Sequence, residues 1–265
     1  MSEPIGICVI GAGAIAERHM QAYQQLGGVL PRWVVSRPAE AARDFAHRWN
    51  FAHSGTSVEP AFADSSVQLV LIASPSPLHS EQAARAMQAG KDVVVEIPVA
   101  LSWPDAQKVA QVAATLGRRA WVCHTLRSTP ALRLVRERVQ TLLGPVHPTF
   151  GMALDVGVQL VTAGGELITQ SLSYNVEQSV WQLQFIGYED VLTFQDGRLT
   201  NEVGQKLVPE TPIVDLTVQN RELLHAFRSG EKCEYELPAV LATMEVLGRA
   251  QACAERAPDD RIAES

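Results

Sequence analysis

The chain opens with an unbroken apolar run, IGICVI at residues 5–10. The period then changes: in AERHMQAYQQL at 16–26, apolar positions recur every three to four residues. A short continuous run of this kind reads as a strand buried on both faces, and the longer periodic stretch as an amphipathic helix. The alternation continues. RWVVSR at 32–37 predicts a second strand, residues 38–49 a helix, 51–54 a weak strand, 58–64 a short helix, and VQLVLIAS at 67–74 a strand. SEQAARAMQAG at 80–90 predicts a helix closed by Gly90, and KDVVVEIP at 91–98 another strand. SWPDAQKVAQVAATLG at 102–117 and RAWVCHT at 119–125 add a last helix and strand. Strands alternating with helices, several continuously apolar, predict an α/β Rossmann fold with a doubly wound parallel sheet. Ligands of such sheets sit at the carboxyl ends of the strands.

Beyond residue 125 the pattern shifts. PALRLVRERVQTLL at 130–143 predicts a helix, and GPVHP after it a turn. GMALDVGVQLV at 151–161 alternates Met152, Leu154, Val156, Val158 and Leu160, which predicts one strand with a single buried face. AGGE at 163–166 predicts a hairpin turn into the strand ELITQSLSYN. Residues 180–199 predict two or three strands with turns at YED and DG. NRELLHAFRSG at 220–230 and LPAVLATMEVLGRAQACAE at 237–255 predict amphipathic helices. The expected organisation is a dinucleotide-binding domain over 1–125 and an α+β domain with a shortened antiparallel sheet over 126–265.

Composition narrows the class. With 46% hydrophobic and 19% charged residues the chain can bury a sizeable core and does not read as disordered. A net charge of −7 with no basic cluster argues against nucleic acid. No apolar run approaches the roughly 20 residues of a membrane helix, and no leader pattern is seen, so the expected location is cytoplasmic. Cys8, Cys123, Cys233 and Cys253 show no metal-ligand or disulfide spacing, and no metal is expected.

The chemistry gathers at predicted strand ends. In GAGAIA at 11–16, Gly11 permits a tight turn, Gly13 lets backbone approach a pyrophosphate, and Ala16 takes the third small position. The helix start at Ala14 and Ile15 offers free N–H groups and a positive dipole end to phosphate. About 20 residues on, where an NAD-preferring site carries an acid, the chain has Ser36 and Arg37. A hydroxyl and a guanidinium suit a 2′-phosphate, which favours NADP over NAD; the alternative is an exposed loop arginine. Ser74, Pro75, His79, Glu96, Ile97, Pro98, His124 and Arg127 fall at the same rim. His79 reads equally as a residue of a helix N-terminus.

These segments carry a resemblance. GAGAIAERH, ASPSPLHSEQA, AGKDVVVEIPVA and VCHTLRSTP, in that order and spacing, resemble the glucose-fructose oxidoreductase / inositol dehydrogenase / MocA family of NAD(P)-dependent oxidoreductases. The SR dipeptide after the second strand and VEIP in place of the usual EKP resemble a branch that uses NADP in aromatic-acid catabolism. The resemblance implies an enzyme moving a hydride to or from a small polar carbonyl, alcohol or hemiacetal. It implies cofactor contacts at Ser74, Pro75, His79, Glu96 and Ile97, and a homo-oligomer formed through the C-terminal sheet. Two departures stand out. Ile97 occupies the position of the family's lysine. A stretch that in the family bears an Asp/His pair is missing between Leu143 and Gly144. Proton management then falls to His124 or His79, with His147 a weaker candidate read as a loop residue. Arg127 and His124 are the residues expected to meet the substrate. The competing reading is a non-redox enzyme, such as a cyclase or lyase, or a cofactor-binding regulatory protein.

Overall fold

A computed structural model describes residues 3–130, 147–152, 155–161, 167–173, 182–186, 191–209 and 216–254. Residues 131–143 of the expected helix, the junction at Leu143 and Gly144, and the turns at 163–166 and 188–190 lie outside them. The chain divides into two compact units, one of Met1–Ser128 with Val214–Ala242, the other of Thr129–Ile213 with Thr243–Ser265. This differs from a single boundary at 125/126: a late segment rejoins the first unit.

The first unit is built on six parallel strands in the order β3-β2-β1-β4-β5-β6. They are β1 Ile5–Ile10, β2 Val29–Val35, β3 His53–Gly55, β4 Leu69–Ile72, β5 Asp92–Val95 and β6 Ala120–Val122. Every residue of β1 and β4 is buried, as their unbroken apolar runs require when helices cover both faces. The helices between them are α1 Ala14–Leu26, α2 Ala39–Trp49, α3 Glu59–Ala63, α4 His79–Gln88 and α5 Trp103–Leu116. Ser102 caps α5 by accepting from the Asp105 N–H at 3.2 Å, and Gly117 closes it in the left-handed region.

Two further helices follow later in the chain, α6 Leu216–Ser229 and α7 Leu237–Ala254. Within the first unit, α6 contributes Leu223, Leu224 and Ala226 to the core holding Ala16, Met20 and Tyr23 of α1. The segment after α6 bridges Trp121 of the edge strand to Glu236 in antiparallel sense, which covers that edge. Arg119 fastens this return. Its guanidinium lies 4.5 Å over the Trp121 ring, donates to the Ala226 carbonyl in the last turn of α6, and reaches Glu231 O at 2.7 Å and Glu236 Oε1 at 2.9 Å. Arg119→Ala is expected to cost about 2–3 kcal/mol, because the change removes several charge-assisted bonds and the stacking of a cation on an indole face at once. A urea midpoint equal to that of the parent would refute this.

In the second unit, β7 His147–Met152, β8 Asp155–Val161 and β9 Leu167–Ser173 form one antiparallel sheet. Strands β10 Gln182–Ile186, β11 Val191–Gln195 and β12 Arg198–Thr200 form another, around Leu192, Phe194 and Leu199. Two expectations are corrected here. Residues 151–161 are not one strand: the chain reverses between Met152 and Asp155, with Met152 opposite Val156. His147 is the first residue of β7 and not a loop histidine. The alternation had hidden the reversal because both arms of a hairpin keep the same period of two. The DG turn is as expected, Asp196 and Gly197 both having positive φ, the geometry of a tight hairpin between β11 and β12. Among the described residues no helix is long and apolar enough to cross a membrane.

Candidate active site

The first unit's strand order reverses between β1 and β4, and the glycine turn sits at that point. Gly11 has φ +106°, and a methyl group placed on it would lie 2.4 Å from the Ala73 carbonyl oxygen at the end of β4. Its own N–H is taken by Val35 O of β2 at 2.8 Å. Gly13 is the N-cap of α1, no side chain caps that helix, and a methyl group at Gly13 would meet nothing within 4 Å. Among the described residues the N–H groups of Ala14 and Ile15 thus have no side-chain acceptor, and the space over Gly13 is open. An uncapped helix start beside a glycine with room above it fits the pyrophosphate of a dinucleotide.

Around this turn stand the other residues expected at the rim. Ser36 follows β2 directly, its N–H donating to Gly55 O at 3.0 Å. Arg37 is exposed, with no hydrogen bond or ion pair among the described residues. Ser74 donates through Oγ to Gln82 Oε1 at 2.5 Å, and Pro75 is exposed beside it. Glu96 extends β5, its N–H donating to Ile72 O at 2.9 Å. Ile97 is 51% exposed, an apolar side chain held in solvent at the rim.

His79 and Arg127 are placed differently from the sequence reading. His79 is buried, with Nδ1 2.8 Å from Pro98 O and Nε2 2.7 Å from Ser74 O. Both nitrogens are engaged with main chain, so the ring ties the turn after β4 to the turn after β5. Arg127 donates from its two terminal nitrogens to Glu234 O at 3.1 Å and Ala239 O at 3.2 Å. Its fork thus reaches the backbone ahead of and within α7. His124, just past β6, is half-buried; burial first, and then Arg127, push its pKa below the usual 6.5, against a smaller opposing effect of Glu96. A neutral, half-buried imidazole is suited to accept a proton near neutrality.

The composition and motif spacing did not single out His19. It is buried on α1, with Nε2 2.7 Å from Glu96 Oε1 and Nδ1 beside the Asn220 amide of α6. The signal was present: Ala16, His19, Met20 and Tyr23 share one helix face, and a histidine among three core residues is out of pattern. Cys123 Sγ lies 3.9 Å from His19 Nε2. Burial, followed by the charge of Glu96, raises its pKa well above the usual range, so it stays a thiol. His19, Glu96 and Cys123 place three ligand-type atoms within 4.8 Å of one another. The 2.7 Å His19–Glu96 separation is nonetheless a hydrogen bond. Two ligands of one tetrahedral ion with bonds of about 2 Å would stand roughly 3.3 Å apart. The cluster is hydrogen-bonded as it stands.

A Rossmann sheet with an open glycine turn at its switch point defines a dinucleotide-binding fold. Comparison with known proteins agrees. Residues 5–124 match the model of an oxidoreductase family with an NAD-binding Rossmann fold, and residues 118–204 that of the bacterial oxidoreductase C-terminal domain. The chain belongs to this family of NAD(P)-dependent oxidoreductases. It is 26% identical, over 94% of its length and 99% of the relative's, to a 4-carboxy-2-hydroxymuconate-6-semialdehyde dehydrogenase of Sphingobium sp.. That alignment runs over 319 residues against the 265 of this chain, so the relative carries stretches without counterparts here. Among solved structures, GenD2 from gentamicin A biosynthesis in complex with NAD matches with TM-score 0.83 at 20% identity, covering 97% of this chain and 95% of that one. KijD10, a 3-ketoreductase from Actinomadura kijaniata in complex with NADP and TDP-benzene, matches with TM-score 0.82 at 16% identity, covering 95% of this chain and 98% of that one. These two likenesses establish the fold.

Proposed function

We propose that the protein is an NADP-preferring dehydrogenase that moves a hydride to or from a small polar carbonyl, alcohol or hemiacetal carbon, a reading supported by its likeness to a semialdehyde dehydrogenase. The observation that carries the cofactor preference is Arg37: exposed, unpaired among the described residues, at the end of β2, with no carboxylate among Ser36–Ala39 to repel a 2′-phosphate. A bound nicotinamide supplies the hydride acceptor or donor. The chain's own part is to cradle phosphate on the α1 N-terminus, to hold the 2′-phosphate with Ser36 and Arg37, and to present Glu96 and Ile97 at the rim. His124 accepts or returns the substrate hydroxyl proton. His79 positions the turns that flank the site.

Titration calorimetry with NADPH and NADH tests this. NADPH is expected to bind more tightly, and Arg37→Ala to weaken it about tenfold or more while leaving NADH unchanged, as for removal of a charge-assisted bond to phosphate. Equal losses for both cofactors would remove the assignment. One observation favours a second reading, a cofactor-binding protein without redox turnover: Ile97 provides no ammonium where the resemblance places a lysine. Substrate-dependent change in NADPH absorbance separates the two readings.

A further inference from the structure

The buried polar line behind Glu96 has no catalytic use in the proposed reaction, yet it lies in an apolar interface. Asn220 of α6 and His19 of α1 are both fully buried, among Met20, Tyr23 and Leu223. Apolar side chains there would pack without needing partners, so two polar groups in such a place require a purpose beyond packing. The line has one outlet. His19 Nε2 meets Glu96 Oε1 at 2.7 Å, and the Glu96 side chain is 13% exposed. Behind His19, the Asn220 Nδ2 stands 3.1 Å from Nδ1. With Nε2–H donating to the carboxylate, Nδ1 is the acceptor and the Asn220 amide its donor, so one tautomer satisfies both bonds. The Ile97 N–H, 3.3 Å from Glu96 Oε2, holds the other oxygen.

We infer that His19 and Asn220 are positioning residues for Glu96, fixing from inside the core the angle at which its carboxylate meets the cofactor. The inference rests on the cofactor site proposed for this chain. It makes α6, contributed from residues 216–229, a functional part of that site. Neither residue touches a ligand; each acts only through the carboxylate.

The test uses the full chain and separates positioning from packing. Replacing both groups, His19→Leu with Asn220→Leu, removes the donor and acceptor between α1 and α6 together and frees only Glu96 Oε1, at the partly exposed end of the line where water can reach it, so the melting temperature is expected to stay within a few degrees of the parent. NADPH affinity, read by quenching of protein fluorescence, is expected to fall on the order of tenfold, the size of a missing hydrogen bond to a charged group. In a Glu96→Ala background the same pair of changes is expected to have no further effect, because the group they act through is gone. His19→Gln, which keeps a donor toward Glu96, is expected to restore most of the affinity. If the paired variant does not refold, Asn220→Ala replaces it, with an expected loss of about threefold. Parental affinity at a parental melting temperature overturns the inference, as does an equal loss with and without Glu96. If the parent binds neither NADPH nor NADH, the cofactor reading falls and this falls with it. Parental binding with an additive cycle removes the positioning role alone.

Discussion

Gly11→Ala is expected to lower stability by about 3 kcal/mol and to abolish binding of the cofactor. Its φ of +106° is a conformation that L-residues rarely adopt, and the new methyl would stand 2.4 Å from the Ala73 oxygen, 2.6 Å from its carbon and 2.9 Å from Ser74 N. All three are main-chain atoms of the adjoining turn, so none can rotate aside. Relief requires β1 and β4 to separate at the switch point, where the turn must stay tight for α1 to aim its N-terminus outward. For a chain of this size the melting temperature should drop by roughly 6–12 °C. Gly13→Ala is the informative companion. Its backbone, at φ −89°, suits alanine and the methyl meets nothing. Stability should hold while NADPH affinity falls, since the filled space is the one assigned to phosphate. If Gly11→Ala melts like the parent, or Gly13→Ala binds like it, the glycine turn is a structural bend only.

The second large effect is expected at His124. His124→Gln should reduce kcat by about 10²- to 10⁴-fold, the usual contribution of a placed acid or base, with little change in the affinity for cofactor. The pH dependence follows from the environment. Burial, then Arg127, disfavour the charged ring, so in the folded protein it is neutral down to a pH below the ordinary 6.5. The acid limb of kcat/KM for oxidation should therefore lie below pH 6.5 and vanish in the variant. The same shift acts on folding. As pH falls past 6.5 the unfolded chain takes up this proton before the folded one does. The stability contribution of His124 is thus complete above pH 6.5 and lost between 6.5 and the lower folded value. A pH–rate profile whose acid limb survives the substitution would assign the proton to another group.

The Rossmann half was legible because two strong periods alternate along it, and because glycine and serine mark its turns and caps. The glycine turn was legible because its residue types belong to a known turn, with positive φ at Gly11 and open space over Gly13. His79 and Arg127 show the limit. A strand-end position says that a side chain is near the rim, but the acceptors it finds there, Pro98 O and Ser74 O for His79, Glu234 O and Ala239 O for Arg127, belong to segments that sequence spacing does not bring together. Asn220 was out of reach for the same reason. Its partner is His19, about 200 positions away. The hairpin at Met152–Asp155 was missed because periodicity records which face a residue takes and not the direction in which the chain runs.

The first unit is discontinuous, ending at Ser128 and resuming at Val214. What lies between is therefore an excursion, leaving and rejoining a unit whose sheet, glycine turn and α1–α6 interface are assembled from the flanking segments. An excursion of this kind has a freedom that the strands of the sheet lack: its length can change without altering the register of any parallel strand. The long relative and this shorter chain can thus share one nucleotide fold while differing in what they place beyond it. What such an architecture places in the excursion can be changed while the glycine turn and its sheet are kept.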